Sequence, residues 1–511
     1  MDRGPDTQDE LSGSQLRDAA VSGIRWTTAA RAGSEVVTFF SAVVMARLVP
    51  PSGFGQALVP TILLTLAVIL TFEGYGSALV QRKTIEREHV EAALMASLLT
   101  GLVLSLVAAT IGATVAGQFI GGESAELMVV MSPVFIFAGL GAVSRGLLWR
   151  KLNFKLVSVI EVVALTVTSA VGIGLAVAGL DAEAIVLAAL AGAAATSLLL
   201  VVAAPPPLPR WRTRELREVL HFGLPASGAG LTYVAITNST LAIVAVRLSA
   251  TQAGLFWRSF QLGVVYQEKI SGIMLRLAFP VYSRTANLAE LLRFHERATR
   301  IHAAVLLPLL SILIVTAPEL VPWVFGPRWA PAVAPVQILA VAGMIAAVLT
   351  GYPQIMLAAG RPRPLLIFNL ALLAVYIVVS WLAAPYGITT LAYAVVGIHL
   401  VLLVAVYAGL FRGVLGIPVR RLVTDLFPAV VGSAILLAVA LPVASLLRGQ
   451  HLGPFFIVAG TALSGGLVYL ATLSTFFHPI WDDLLALIRR VLPAIPSRRL
   501  ALPEEQLTHD A

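Results

Sequence analysis

The sequence predicts an all-α polytopic membrane protein of about fourteen transmembrane helices, and three observations carry that prediction. The 511 residues are 58% hydrophobic and only 12% charged, with a mean hydropathy of +0.90. A soluble chain this apolar would lack the polar surface to stay dispersed, so the bilayer is its solvent. Long uncharged runs recur, among them LVPTILLTLAVILTF (58–72), LLTGLVLSLVAATIGATVAG (98–117) and AVLLPLLSILIVTA (304–317). Each forms or anchors a stretch near the ~20 residues that cross a hydrocarbon core. The short loops between such runs alternate in basic charge, as in a chain threaded back and forth through a membrane.

Taken in order, helix 1 (22–46) ends at Arg47, and helix 2 (56–80) ends before Arg82, Lys83 and Arg87. Helices 3 (90–117) and 4 (126–148) lead to Arg150, Lys151 and Lys155. Helices 5 (156–179) and 6 (183–203) reach a basic stretch with Arg210, Arg212, Arg214 and Arg217. Helix 7 (219–246) stops at Arg247, and helix 8 (253–279) runs to Arg284, Arg293, Arg297 and Arg300. Helix 9 (299–324) precedes Arg328, and helix 10 (333–358) precedes Arg361 and Arg363. Helices 11 (364–384) and 12 (388–411) end at Arg412, Arg420 and Arg421; helices 13 (422–446) and 14 (454–476) flank Arg448. One set of loops is therefore rich in cations, and the other has only Arg47, Arg247, Arg328 and Arg448. By the positive-inside rule the rich set is cytoplasmic, together with both termini.

The basic residues are scattered among these loops, so the net charge of +8 reads as topology and no nucleic acid is expected. Cysteine is absent, which excludes disulfides, thiol catalysis and Cys-based metal sites. Residues 1–20 are polar and lack the basic and apolar regions of a cleaved signal, so they are expected to remain as a cytoplasmic tail. Residues 477–511 form the other tail. Within it, HPIWDDLLALIRRVLPAIPSRR (478–499) puts Trp481, Leu484, Leu485, Ile488 and Val491 on one face, the pattern of an interfacial helix or of a soluble tail helix.

An internal echo organises the rest. ARLVPPSGFGQ (46–56) follows helix 1 and VRLSATQAGLFWR (246–258) follows helix 7, each with Arg-Leu, a short turn, then Gly beside an aromatic. The reading is two parallel repeats, an N-lobe over 21–203 and a C-lobe over 218–412, joined by a Pro-rich basic linker at 204–217. Helices 13 and 14 (413–476) fall outside the repeat.

Polar groups inside such spans are costly and point to function. Arg258 and Lys269 lie about 20° apart on a helical wheel, and Arg276 returns to the same angle, a row spread over ~27 Å. A cation at the bilayer centre costs roughly 2.5–3.5 kcal/mol on insertion scales, so the row is expected to face a wet space. Snorkelling of Arg258 and Arg276, and pairing of Lys269 with Glu268, are the alternatives. On helix 1, Thr27, Arg31, Ser34, Glu35 and Thr38 form one polar stripe, in which Arg31 and Glu35 either pair at i,i+4 or meet a ligand. Glu73, Glu161 and Glu268 are further acids for coupling or charge balance. Asn238, Asn369 and His399 are expected to hydrogen-bond between helices, with Asn238 and Asn369 on a polar cavity. In this orientation most of the charges lie at or below the midplane, which predicts a cationic cavity open to the cytoplasm. Phosphate suits such cations where water is scarce.

ARLVPPSGFGQ (46–56), EGYGSALVQRK (73–83), GLFWRSFQL (254–262), LRLAFPVYSR (275–284), APELVPWVFGPRWAPAVAPVQILAVAG (317–343) and AAGRP (358–362) together give the chain its likeness. It resembles the polysaccharide-export, or Wzx-like oligosaccharide flippase, branch of the multidrug/oligosaccharidyl-lipid/polysaccharide exporter superfamily. The resemblance implies two six-helix lobes around a central cavity, with two helices appended. It also implies a bacterial inner-membrane protein moving undecaprenyl-diphosphate-linked sugar repeats outward for exopolysaccharide, capsule or O-antigen. Membrane lipids, a polysaccharide polymerase and a chain-length regulator are the partners implied. Arg31 and Arg258 match the cations that hold the diphosphate in related flippases. Asn238-Ser239-Thr240 departs from a branch pattern that often carries an acid there, which leaves the coupling ion, proton or sodium, open. No other cofactor is expected. A cation-coupled drug antiporter on the same fold predicts an acidic, aromatic pocket. An enzyme predicts a carboxylate pair or metal cluster at the membrane surface, which these short loops do not offer.

Overall fold

The computed structural model describes residues 33–82, 84–267, 271, 288–415 and 420–491, and everything structural below concerns those residues. They form α1 (33–48), α2 (Pro51–Gln81), α3 (Arg87–Phe119), α4 (Gly122–Arg150), α5 (Phe154–Val177), α6 (Ala182–Ala203) and α7 (Thr213–Arg247). There follow α8 (250–267), α9 (Leu288–Phe325), α10 (Pro327–Ala358), α11 (Pro362–Tyr386), α12 (Ile388–Val414), α13 (Arg420–Gly449), α14 (Pro454–Phe476) and α15 (His478–Val491). Helix is the form such a chain must take, because lipid cannot satisfy an exposed peptide group. Among the described residues twelve helices are long and apolar enough to span a membrane. The other two expected spans, α1 and α8, reach the limits of the described residues. Prolines open α2, α10, α11 and α14 at the first helical positions, where a missing N–H costs nothing. Asn153 and Ser249 cap α5 and α8 by accepting from the Leu156 and Gln252 amides.

The repeat is visible in the packing. In the N-lobe α4 packs on α2, α3 and α6, and α5 on α6; in the C-lobe α10 packs on α8, α9 and α12, and α11 on α12. Adding six to each N-lobe number gives its C-lobe counterpart. The two lobes meet where α2 crosses α8, and that contact is reciprocal. A Cβ on Gly55 would lie 1.8 Å from the Ala250 carbonyl oxygen, and a Cβ on Gly254 1.8 Å from the Pro51 carbonyl oxygen. Pro51-xxx-Gly55 and Ala250-xxx-Gly254 therefore act as paired small-xxx-small faces. Such close backbone approach drives helix association where lipid removes the hydrophobic force. The short motif noticed twice in the sequence is the pseudo-twofold joint itself.

Other groups fasten the same end. Arg47 donates to the Val324 and Trp323 carbonyls at 2.9 and 2.5 Å, and the fully buried Trp329 donates its indole N–H to the Ala46 carbonyl at 2.8 Å. The apolar cluster here joins the lobes, with Phe54 and Leu58 against Phe256, Phe325, Trp329 and Leu391. Outside the repeat, α13 and α14 pack on α9, tied by Arg300–Asp425 at 3.2 Å and Arg448–Glu319 at 2.6 Å. The amphipathic α15 docks Ile480 and Leu484 under this group and pairs Asp483 with Arg297.

At the opposite, Arg82 end, α7 crosses between lobes. Its second half packs on α11, whereas its first half lies on α2 and α3. A Cβ on Gly223 would lie 1.8 Å from the Gly74 carbonyl oxygen, and Val219 joins the Tyr75, Leu79 and Val90 cluster. The expected linker of 204–217 is accordingly divided, because the α7 helix already starts at Thr213. Glu218 fixes this docking by accepting from Arg82 at 2.6 Å and bonding His89 at 3.2 Å. Those bonds, Arg82 first, hold the Glu218 carboxyl down at about 2, against an ordinary 4.5. A lowered folded-state pKa stabilises fully above the unfolded value and is lost as pH falls toward the folded one. Glu218→Gln is therefore expected to lower the thermal midpoint at pH 7. The gap from wild type should close as pH drops below 4.5; a gap unchanged down to pH 3 would contradict the assignment.

Candidate functional site

The central cavity has a volume of about 740 Å³. Its walls come from α2 of the N-lobe and from α7, α8, α10, α11 and α12. Two departures from regular helix lie on it. The Gln261–Val265 turns of α8 are π-helical, and α10 breaks at Thr350 before Gly351, whose φ of 95° suits a residue without a Cβ. Broken helices and π-turns at mid-membrane are common sites of ligand binding.

The wall is uncharged and mostly apolar, with polar groups set among aliphatic side chains such as Leu58, Ile62, Val264, Leu349 and Leu402. It carries the amides of Asn238, Gln261, Gln267, Gln354 and Asn369, and the hydroxyls of Thr61, Thr65, Thr237, Ser271 and Thr350. Tyr233, Trp257, Tyr352 and Tyr376 add aromatic surface. No Asp, Glu, Lys or Arg stands among the described residues of this wall. Flat aromatic faces beside amide and hydroxyl groups match the apolar and hydroxyl sides of a sugar ring. Asn369 accepts from Tyr352 at 3.3 Å across α10 and α11. Asn238 instead donates back to Val234 and to Thr237, and His399 bonds the Val395 carbonyl of its own helix. Of the three groups expected to bond between helices, Asn369 does so.

The structure distributes the expected charges widely. Arg31, Glu268, Lys269 and Arg276 lie outside the described residues. Arg258 is buried, 8% exposed, behind the cavity wall. Its guanidinium lies 4.7 Å from the Phe54 ring centroid, 5.2 Å from Phe325 and 5.5 Å from Trp329. Desolvated cation–π contacts of this kind are worth about 2 kcal/mol each, so the aromatic rings compensate an Nε without a hydrogen-bond partner. The wheel angle linking Arg258 to Lys269 assumes unbroken α-helix. The π turn at 261–265 interrupts it with an extra residue, about one 100° step.

Glu35 and Glu73 are half-buried on α1 and α2, Glu73 within the π-helical stretch Ile69–Gly76. Glu161 lines a separate N-lobe cavity of about 320 Å³ between α2, α4, α5 and α6. There it pairs at 3.3 Å with Arg145, whose guanidinium lies 5.8 Å from the Phe72 ring. Sequence reasoning passed over Arg145, although GAVSRGLLWR (141–150) shows a cation five residues before the Arg150 that ends the helix. The motif stretches 46–56, 254–262 and 317–343 meet at the joint around Arg258, and 254–262 also gives Trp257, Phe260 and Gln261 to the cavity wall.

Residues 44–334 match the family described as Polysaccharide biosynthesis protein. The lipopolysaccharide biosynthesis protein WzxC of Escherichia coli (strain K12) is 25% identical over 453 residues, covering 85% of this chain and 89% of that protein. Among solved structures, the lipid II flippase MurJ in an inward closed conformation superposes with a TM-score of 0.70 at 13% identity, over 90% of this chain and 99% of that one. An inward-facing multidrug resistance MATE family transporter of the MOP superfamily gives 0.53 at 14% identity, over 73% and 93%. At such identities these two likenesses concern the fold alone.

Proposed function

The chain belongs to the polysaccharide biosynthesis protein family, and from that premise we propose that it flips undecaprenyl-diphosphate-linked oligosaccharide repeat units between membrane leaflets. The observation that carries this reading is the neutral wall of amides, hydroxyls and aromatic rings between the lobes, which suits a glycan better than an organic cation. The 740 Å³ of space lies within the ordinary range for a small-molecule site. The N- and C-termini face the cytoplasm of a bacterial inner membrane, on the basic-loop rule. The sugar headgroup enters from the Arg82 end while its lipid tail stays in the bilayer. Arg31, Lys269 and Arg276 hold the diphosphate, and Arg258 supplies a fixed positive charge behind the far wall. Glu35, Glu73, Glu161 and Glu268 balance these charges or carry a coupling ion, proton or sodium. The lobes then part at the α2–α8 crossing, which opens the Arg47 end, and close at the Arg82 end. A polymerase and a chain-length regulator receive the product. The role is transport, without a chemical step.

The drug-antiporter reading needs an acid in the pocket, and none stands among the described wall residues. Reconstituted into vesicles, the protein is expected to move a lipid-diphosphate-linked sugar between leaflets well above the protein-free rate, without exporting organic cations. Cation efflux with no lipid movement would reverse the assignment.

A further inference from the structure

Among the described residues of the central wall, His399 is the one side chain of a type that titrates near neutral pH. Its ring is held in one tautomer. Nδ1 lies 2.8 Å from the Val395 carbonyl oxygen, and a carbonyl can only accept, so Nδ1 carries the proton. Nε2 is then the acceptor that the neutral ring keeps for a ligand. Tyr376 stands edge-on to the imidazole, with ring centroids 6.2 Å apart, and fixes its plane.

The surroundings allow that nitrogen to set the charge of the cavity. The elements packed against α12 include α8, α10 and α11, and α9 reaches its far end, where His295 stands edge-on to Phe411. The titratable groups that these helices and α7 bring to this wall are Tyr233, Tyr352 and Tyr376. On α12 itself Tyr407 donates to the Val348 carbonyl, and on α8 Arg258 is enclosed by aromatic rings. No carboxylate among the described wall residues stands ready to neutralise a protonated ring.

We propose that His399 is a proton-linked anion site: an anionic group of the substrate, diphosphate or acidic sugar, is bound together with a proton on Nε2. The inference rests on the transport reading above and adds to it a coupling group on the C-lobe wall. Protonation turns Nε2 from acceptor to donor, so this one group is uncharged when the site is empty and cationic when an anion is bound. Proton uptake on binding follows by linkage, and so does weaker binding at alkaline pH, by up to tenfold per pH unit for one proton.

Calorimetric titration of the full chain in nanodiscs tests this, run in buffers of different ionisation enthalpy between pH 6 and 8. The probes are a farnesyl-diphosphate-linked glucose, whose diester has no proton to exchange near neutrality, and octyl glucuronide. Wild type is expected to take up a proton approaching one per ligand at pH 8 with at least one probe, which identifies the anion. His399→Asn, whose amide can still donate to Val395, is expected to bind with no uptake and with pH-independent affinity; His399→Gln serves if that variant does not fold. Binding by wild type without uptake, or uptake persisting in the variant, overturns the inference and leaves the transport reading in place. Failure of wild type to bind either probe removes both.

Discussion

Replacing Gly254 with valine is expected to separate the lobes at the Arg47 end, to destabilise the fold by about 3 kcal/mol and to reduce transport to the protein-free rate. The reason is geometric. A Cβ there would sit 1.8 Å from the Pro51 carbonyl oxygen and 2.7 Å from its carbon, so α2 and α8 must part by an ångström or more. That movement breaks contacts sensitive to distance, including the Trp329 indole bond to Ala46 and the Phe54–Trp329 edge contact at 5.3 Å. Gly55→Val is expected to cost a similar amount, because the contact is reciprocal. The double variant should lose much less than the sum, since both changes open one crossing. Thermal unfolding in detergent measures the first part and vesicle transport the second. Additive losses would show that the two glycines serve separate contacts.

Thr61→Trp has the opposite profile. Thr61 faces the central cavity from α2 and its hydroxyl donates only to its own helix, at the Leu58 carbonyl. An indole there occupies open space, so the fold is expected to tolerate it within about 1 kcal/mol while transport falls at least tenfold, a barrier increase of about 1.4 kcal/mol. Leu463→Trp on α14, at a position 65% exposed, is the control expected to transport normally. Equal transport by both variants would place the substrate path elsewhere.

These predictions also mark what was legible in the sequence. The spans were, because a hydrocarbon core imposes apolar runs on any helix that crosses it. Their extensions beyond the lipid were not. The α7 helix begins at Thr213 where hydropathy suggests 219, and α9 is already helical at Leu288 where it suggests 299, since turns outside lipid are free to be charged. The repeated Arg-Leu-turn-Gly motif was legible as a repeat, and its meaning as a backbone crossing required coordinates. Arg258 stood out as a costly cation, yet a helix wheel cannot tell a wet cavity from a ring of aromatics supplied by residues 54, 325 and 329. The Arg145–Glu161 pair joins two helices sixteen residues apart, and no local period announces it. The polar side of the cavity is assembled from scattered amides and hydroxyls on five helices, each unremarkable in its own span.

Alternating access runs through the space between the two lobes, which must part at the α2–α8 crossing for the Arg47 end to open. The chain has no cysteine, so Gln56→Cys with Ala253→Cys, both on the cleft at the Arg47 end, gives a pair with no competing thiol. Transport of lipid-diphosphate-linked sugar in vesicles should be measured before and after bridging this pair with a short reducible bis-thiosulfonate, and again after dithiothreitol. The expected result is arrest on bridging and recovery on reduction. Unchanged transport with the Arg47 end tied shut would contradict the account.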